Sequence, residues 1–216
     1  MHLKRTSFEK ELPLPRKGST FLVVASHERR NAVPLLVVMR ELLGLARTRK
    51  EARQILLAGD VKVNNKVRKD EKFPLQFFDV VEFEKLGKAY RLEIVNKKFR
   101  LKEVSGKEKD EKIVKIVGKK IISKDKVQMN LQDGGNFLAK EKFKVGDSVV
   151  LDTKGNKIVK VLELKAGAKV EVISGKHAGE KGDLIEIRNL ARSKDYIVKL
   201  KEKEVGVPLK TLIVIG

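Results

Sequence analysis

Apolar residues recur along this chain with two different periods, and the change from one to the other separates helices from strands. Leu35, Val38, Met39 and Leu42 fall at i, i+3, i+4 and i+7, the spacing of one helical face. Asn31 suits the N-cap, Pro34 is tolerated in a first turn and Gly44 suits the position just past the end, so the pattern predicts a helix over 32–43. Thr48 then caps a second helix, Glu51 completes a capping box three residues on, and Gly59 stops it. Ala52, Ile55 and Leu56 share one face of that helix, and Arg49, Lys50 and Arg53 fall on the adjacent one. After Gly59 the period drops to two: Val61 and Val63 alternate with Lys62 and Asn64 as a strand, Asn64-Asn65 forms a turn, and Phe77 to Phe83 reads as a further strand.

Downstream the pattern is β throughout. The apolar stretches 113–117 and 126–131 alternate with cations, and Asp133-Gly134-Gly135-Asn136 is a strong turn. Ser148 to Leu151 and Lys157 to Leu162, separated by Thr153-Lys154-Gly155-Asn156, predict a hairpin. Gly167 to Ile173 alternates as a strand and leads into a loop with three glycines, Gly175, Gly179 and Gly182, before a strand from Asp183 to Ile187. Glycine permits positive φ and close backbone approach, so this loop can turn tightly and present amide N–H groups. Residues 1–30 have no clear period. Pro13 and Pro15 favour extended backbone and Arg16-Lys17-Gly18 marks a turn. Such a segment is either a flexible terminus or a basic arm, beginning His2-Leu3-Lys4-Arg5, that orders against phosphates.

Composition decides what kind of partner these elements serve. The 216 residues carry 49 Lys and Arg against 29 Asp and Glu, a formal charge of +20. Cations exceed anions in 1–100, 101–164 and 165–216 alike, so the basicity is not confined to a tail. A polyanion is the expected partner, met along an extended contact and not in one cleft. No apolar run approaches the roughly 20 residues that span a bilayer, and the N-terminus has no apolar signal core, so a membrane partner is not expected. The absence of Cys removes disulfides, thiolate metal sites and thiol nucleophiles, and fits a reducing cytosol. His2, His27 and His177 are scattered without a metal-ligand spacing. Low aromatic content without Trp favours several small units over one large core.

No catalytic constellation emerges. Asp133 and Asp147 have glycine neighbours and read as turn formers. A phosphate-cradling nucleotide site at Gly175–Gly182 is rejected, because the loop joins two strands and lacks a Gly-Lys-Ser/Thr helix entry. The expected chemistry is binding. Arg47, Arg49, Lys50, Arg53, Lys62 and Lys66 form the main predicted RNA face, Lys4, Arg5, Arg16 and Lys17 a second contact on the arm, and Lys176, His177 and Lys181 a third on the glycine loop. Recognition mainly of backbone and shape implies modest sequence readout. No cofactor, metal or small-molecule substrate is expected.

Two stretches resemble known modules. Arg47-Thr48, Ala52-Arg53-Gln54-Ile55 and Gly59-Asp60-Val61-Lys62-Val63-Asn64 resemble the S-four-like RNA-binding domain, two helices followed by a small sheet. Residues 167–184 resemble the KOW motif, an SH3-like β-barrel hairpin. The order of these modules, with the basic HLKR start, Val127-Gln128-Met129-Asn130-Leu131 and Lys144-Val145-Gly146-Asp147 between them and Ile213-Val214-Ile215-Gly216 at the end, resembles the archaeal/eukaryotic-type small-subunit ribosomal protein S-four-e family over essentially the whole chain. The segment Ala25–Arg30 lacks the Pro-Gly-rich linker associated with that family, and the chain ends after the KOW unit without the basic tail of eukaryotic members, which suits an archaeal protein.

The resemblance implies a multi-domain α+β protein: an arm over 1–32, an S-four-like domain over 33–91, a central β-rich domain over 92–164 and a KOW SH3-like domain over 165–216. It further implies a non-enzymatic constituent of the small ribosomal subunit in the cytoplasm, with small-subunit ribosomal RNA and neighbouring ribosomal proteins as partners. Two alternatives follow from the same modules. An RNA-modifying enzyme would need a catalytic domain that the central segment is too short to supply. A KOW-type translation or transcription factor would associate only transiently.

Overall fold

In the computed structural model the described residues are 3–8, 11–28, 31–123, 126–139, 143–189, 194–200 and 203–216. His2 of the predicted arm, and Arg29 and Arg30 at the end of the Ala25–Arg30 segment, lie outside them. The chain divides into two compact units, Met1–Lys112 and Ile113–Gly216.

The first unit is built on the helix Arg49–Ala58. It forms where the sequence places it. The Thr48 hydroxyl accepts from the Glu51 N–H at 3.3 Å, the Glu51 carboxylate accepts from the Thr48 N–H at 3.4 Å, and Gly59 ends the helix at φ 85°. Ala52 and Leu56 are fully buried. Beyond the helix, Val61–Val63 pairs with Lys66–Val67 across Asn64 and Asn65, whose φ values of 49° and 62° make the tight turn. The sheet continues antiparallel through Val80–Phe83, Lys88–Val95 and Lys98–Val104, in the order Lys66–Val67, Val61–Val63, Val80–Phe83, Lys88–Val95, Lys98–Val104. It thus runs past residue 91, the limit expected for the S-four-like domain.

Two elements of this unit differ from expectation. The first helix does not start at 32. Ala32–Pro34 is a strand paired with Pro74–Gln76, and helix begins only at Leu35–Val37, before widening to a π turn over Val38–Leu42 in which the Leu43 N–H reaches back to the Val38 carbonyl at 3.0 Å. Asn31, at φ 57°, is not a cap. The cause is Pro34, which drives the residue before it into extended backbone. Leu35, Val38 and Met39 are fully buried as their spacing implies, but so is Leu36, with Val37 nearly so, and the segment is core on all sides. The strand expected from Phe77 to Phe83 starts only at Val80. Phe78 sits at φ 65°, its N–H donating to the Leu92 carbonyl at 2.9 Å.

The second unit contains two five-stranded antiparallel sheets. One orders its strands Asn136–Ala139, Lys126–Leu131, Glu111–Ser123, Ser148–Asp152, Lys157–Leu162, and the other Lys203–Pro208, Lys194–Leu200, Lys181–Asn189, Lys169–Val172, Leu212–Val214. The hairpin expected at Ser148–Leu162 is present. Asp133 and Asp147 are turn formers: Asp133 accepts from the Gly135 N–H at 2.9 Å, and buried Asp147 accepts from the N–H groups of Lys144 and Leu164 at 2.8 and 2.9 Å. In the glycine loop, Gly175 and Gly179 take φ 97° and 84°. Gly182 has a different reason to be glycine: a Cβ there would lie 2.2 Å from the Lys199 carbonyl oxygen.

One cation of this unit is buried and bonded to backbone. Lys115 is 5 % exposed and donates to the carbonyls of Leu209 and Leu212, the latter at 2.7 Å, which ties down the turn Leu209–Thr211. Burial pulls its ammonium down to about 8. The unfolded chain, with Lys near its ordinary ~10.4, binds more protons between these two values, so this residue makes folding more favourable as pH rises through that window. The gain should total up to about 3 kcal/mol by pH ~10.4. Urea unfolding of the protein and of Lys115→Met at several pH values checks this: the stability of the wild type relative to the variant should rise across the window, and a constant difference refutes it.

Candidate nucleic-acid interface

The capping box that starts the helix Arg49–Ala58 also fixes how its cations are displayed. The Arg47 N–H donates to the Glu51 carboxylate at 2.8 Å, and these backbone donors, Arg47 first and then Thr48, hold that carboxyl below its usual range. Glu51 is therefore occupied by backbone, and the side chains of Arg47, Arg49, Lys50 and Arg53 are exposed at the start of the helix.

Arg49 is not a simple free cation. Its Nε donates to both Glu71 carboxylate oxygens at 2.9 and 3.0 Å, and its Nη2 donates to the same group. The hydrogen bond from Arg49 lowers the Glu71 pKa, and the charges of Arg49, Arg53 and Lys72 act in the same direction. Glu71 also raises Arg49. The side chain of Glu71 is 10 % exposed and that of Arg49 is 60 % exposed, so one nearly buried carboxylate anchors an outward-facing guanidinium. Arg53, one helical turn on, lies within the same field.

Lys66 is exposed on the strand after the Asn64-Asn65 turn. Lys62 is not part of this face. Val61 and Val63 are buried, so the intervening Lys62 points to the other side of the sheet, where it pairs with Glu84 and is raised by that hydrogen bond. Sequence reasoning also missed cations. Lys69 and Lys72 are exposed beside Glu71, and Arg68 stacks on the Phe73 ring at 4.3 Å. The spacing Lys66-x-Arg68-Lys69-x-x-Lys72 was the available signal.

The arm is more organised than its sequence suggests. Leu3–Lys4 pairs with Phe21–Leu22, and the Arg5 guanidinium donates to the Ser19 carbonyl at 2.7 Å, to the Ser19 hydroxyl at 3.1 Å and to the Pro15 carbonyl. A Cβ on Gly18 would lie 2.9 Å from that guanidinium. Arg5 thus shapes the loop, and Lys4, Arg5, Arg16 and Lys17 line one open cavity of about 660 Å³ together with Thr6, Gly18, Ser19 and Thr20. On the glycine loop of the second unit, Lys176 is exposed. His177 Nδ1 lies 3.2 Å from the Glu180 carboxylate, and Lys181 lies 3.6 Å from buried Glu171. The predicted residues thus fall on the capped helix and the strand after it, on the arm and, in the second unit, on the glycine loop, with Lys62 turned to the other side of its sheet. Among the described residues, no three His, Asp or Glu side chains converge as metal ligands.

The model of the S4 domain matches residues 33–81, and that of the ribosomal family S4e matches residues 86–158. Small ribosomal subunit protein eS4 of Archaeoglobus fulgidus is 38% identical over 206 residues, covering 94% of this chain and 87% of that protein. The protein of the same name from Methanosphaera stadtmanae is 35% identical over 207 residues, covering 94% and 86%. The crystal structure of the 30S ribosomal protein S4e from Thermoplasma acidophilum superimposes with a TM-score of 0.75 at 27% identity, covering 86% of this chain and 95% of that one. With an S4 domain followed by the S4e region, and relatives alike over nearly its whole length, the chain belongs to the S4e family of ribosomal proteins.

Proposed function

We propose that this protein is a non-enzymatic structural constituent of the small ribosomal subunit in the cytoplasm, where it binds and stabilises folded small-subunit ribosomal RNA beside neighbouring ribosomal proteins. The observation that carries the reading is the exposed cationic surface of the capped helix, Arg47, Lys50 and Arg53, with Arg49 anchored on Glu71 and Lys72 alongside. Guanidinium forks give charge-assisted bonds to phosphates, and lysines act as point charges around them. The arm cations Lys4, Arg16 and Lys17 and the loop cations Lys176 and Lys181 add contacts from other parts of the chain, with Arg5 and His177 shaping the loops that carry them. The second sheet of the C-terminal unit is read as the KOW SH3-like barrel, on the strength of its glycine loop. The KOW-type factor is not favoured, because relatives matched over 94% of this chain bear the small-subunit name.

Arg53→Glu tests the face. Arg53 is exposed and off the buried stripe of Ala52 and Leu56, so the variant should keep its thermal unfolding midpoint within a few degrees. Its affinity for small-subunit ribosomal RNA should fall roughly tenfold or more, since it loses one phosphate contact and gains a repulsive charge. Arg53→Gln should fall less. Unchanged affinity in the folded Arg53→Glu protein would remove this helix from the interface.

A further inference from the structure

The strand Glu111–Ser123 is 13 residues long, and only its first part is needed by the core. Val114 and Ile116 are buried against Met129, Leu131 and Val149. From Val117 on, every residue of the strand is exposed except the partly covered Gly118. In the ribbon it forms with Lys126–Leu131 and Asn136–Ala139, Met129, Leu131 and Ala139 stay in the core while the later part of the long strand is exposed. Side chains across the ribbon divide between its faces by register. Ile121 pairs with Val127, which pairs with Ala139, and Lys120 pairs with Gln128, which pairs with Leu138. Because side chains alternate along a strand, Ile121 and Leu138 lie on opposite faces. They are 71% and 61% exposed, and Ile122, at the bulge between Ile121 and Ser123, is 55% exposed. Each face also has a cation: Lys119 beside Ile121, its ammonium 5.1 Å from the Phe143 ring centre, and Lys120 beside Leu138, with Lys126 exposed at the strand start.

A narrow β ribbon with exposed aliphatic side chains on both faces is marginal by itself in water. A one-sided apolar patch would suit a flat protein surface. Here both faces combine an aliphatic residue with lysine, and the sequence over 117–131 carries four lysines against one carboxylate, Asp125. That combination fits a slot with anionic rims and apolar walls. A groove of folded RNA has this character, with phosphates at its edges and sugars and base edges inside. We infer that this ribbon is a second RNA-binding element, one that inserts into a groove of the ribosomal RNA with Ile121 and Leu138 as apolar contacts and Lys120 and Lys126 on the phosphates. This rests on the RNA-binding reading above and adds a contact of a different physical kind, since an apolar contact releases no counterions.

The test uses the full chain and transcribed small-subunit ribosomal RNA, with affinity measured across a salt series. The double variant Ile121→Ser/Leu138→Ser changes only exposed positions, and thermal unfolding verifies its fold. It should bind roughly tenfold more weakly with an unchanged slope of log affinity against log salt, as expected for lost apolar area. Lys120→Ala/Lys126→Ala should bind more weakly and also reduce the slope by about 2. Wild-type affinity in the folded serine variant overturns the insertion. If that variant instead fails to hold a neighbouring ribosomal protein in reconstituted subunits, the occupant is protein and the inference is wrong. Arg53→Glu separates the two claims: if it weakens binding while both ribbon variants do not, the ribbon fails and the general reading stands.

Discussion

Raising monovalent salt from 50 to 200 mM should weaken binding of this protein to small-subunit ribosomal RNA roughly a thousandfold or more. The size follows from which cations are available, not from the total of 49. Lys62 is held by Glu84 on the other side of the sheet, Arg5 is occupied by the carbonyls of its own loop, and Lys115 is buried. Lys4, Arg16, Lys17, Arg47, Lys50, Arg53, Lys66, Lys69 and Lys72 in the first unit, with Lys176 in the second, are exposed, and most of these ten are expected to meet phosphate. About eight neutralised phosphates, each contributing a slope of about 0.7–0.9, give the stated loss. Filter binding or fluorescence anisotropy over that range measures it. A nearly flat titration would mean that the charge serves solubility and that affinity arises elsewhere. A slope of two or three would restrict the interface to one of the three cationic groups.

How much of this could be read from the sequence depended on the distance over which each feature is decided. The capping box of Thr48 and Glu51, the stop at Gly59, the Asn64-Asn65 turn and the turns at Asp133 and Asp147 are set within a few residues, and all were legible. The first helix was misread at its start although the decisive residue was visible: Pro34 excludes helix from the residue before it, and the strand partner that exploits this lies at Pro74–Gln76. Phe78 defeated the period-two pattern because its left-handed backbone is fixed by a carbonyl 14 residues away, on Leu92. The candidate interface followed the same rule. Its helical cations were legible from spacing, while Arg49 anchored on Glu71, Lys62 diverted to Glu84 and Lys181 drawn to Glu171 each depend on a partner 10 or more residues away in sequence. Lys62 could still have been excluded, since the alternation that buries Val61 and Val63 turns the residue between them away.

Asp79→Ala should destabilise the first unit by about 3–5 kcal/mol, which is large against the few kcal/mol that hold such a unit folded. Asp79 is 3% exposed, and both of its carboxylate oxygens are used. One accepts from the Asn64 side-chain amide at 2.8 Å and from the Lys112 ammonium at 2.7 Å, and the other accepts from the Gln76 N–H at 2.7 Å. The Asn64 side-chain carbonyl in turn accepts from the Val80 N–H at 3.0 Å. The network thus locks the Asn64-Asn65 turn to the bend that carries Phe78, two places where the backbone takes positive φ and needs support. Removing the carboxylate takes a counter-charge from Lys112, itself 5% exposed, and leaves buried donors to find other acceptors. Part of the cost is the counter-charge that Lys112 loses, so Asp79→Ala/Lys112→Met should recover part of it, with a coupling of about 1–3 kcal/mol. Urea unfolding of the four proteins in the cycle measures both quantities. A loss under about 1 kcal/mol for Asp79→Ala, or strict additivity in the double variant, would show that the turn and the Phe78 bend hold without this network. Because Asp79 lies on none of the cationic surfaces, the variant should lower RNA binding only through its unfolded fraction, and added RNA should raise its midpoint as mass action requires.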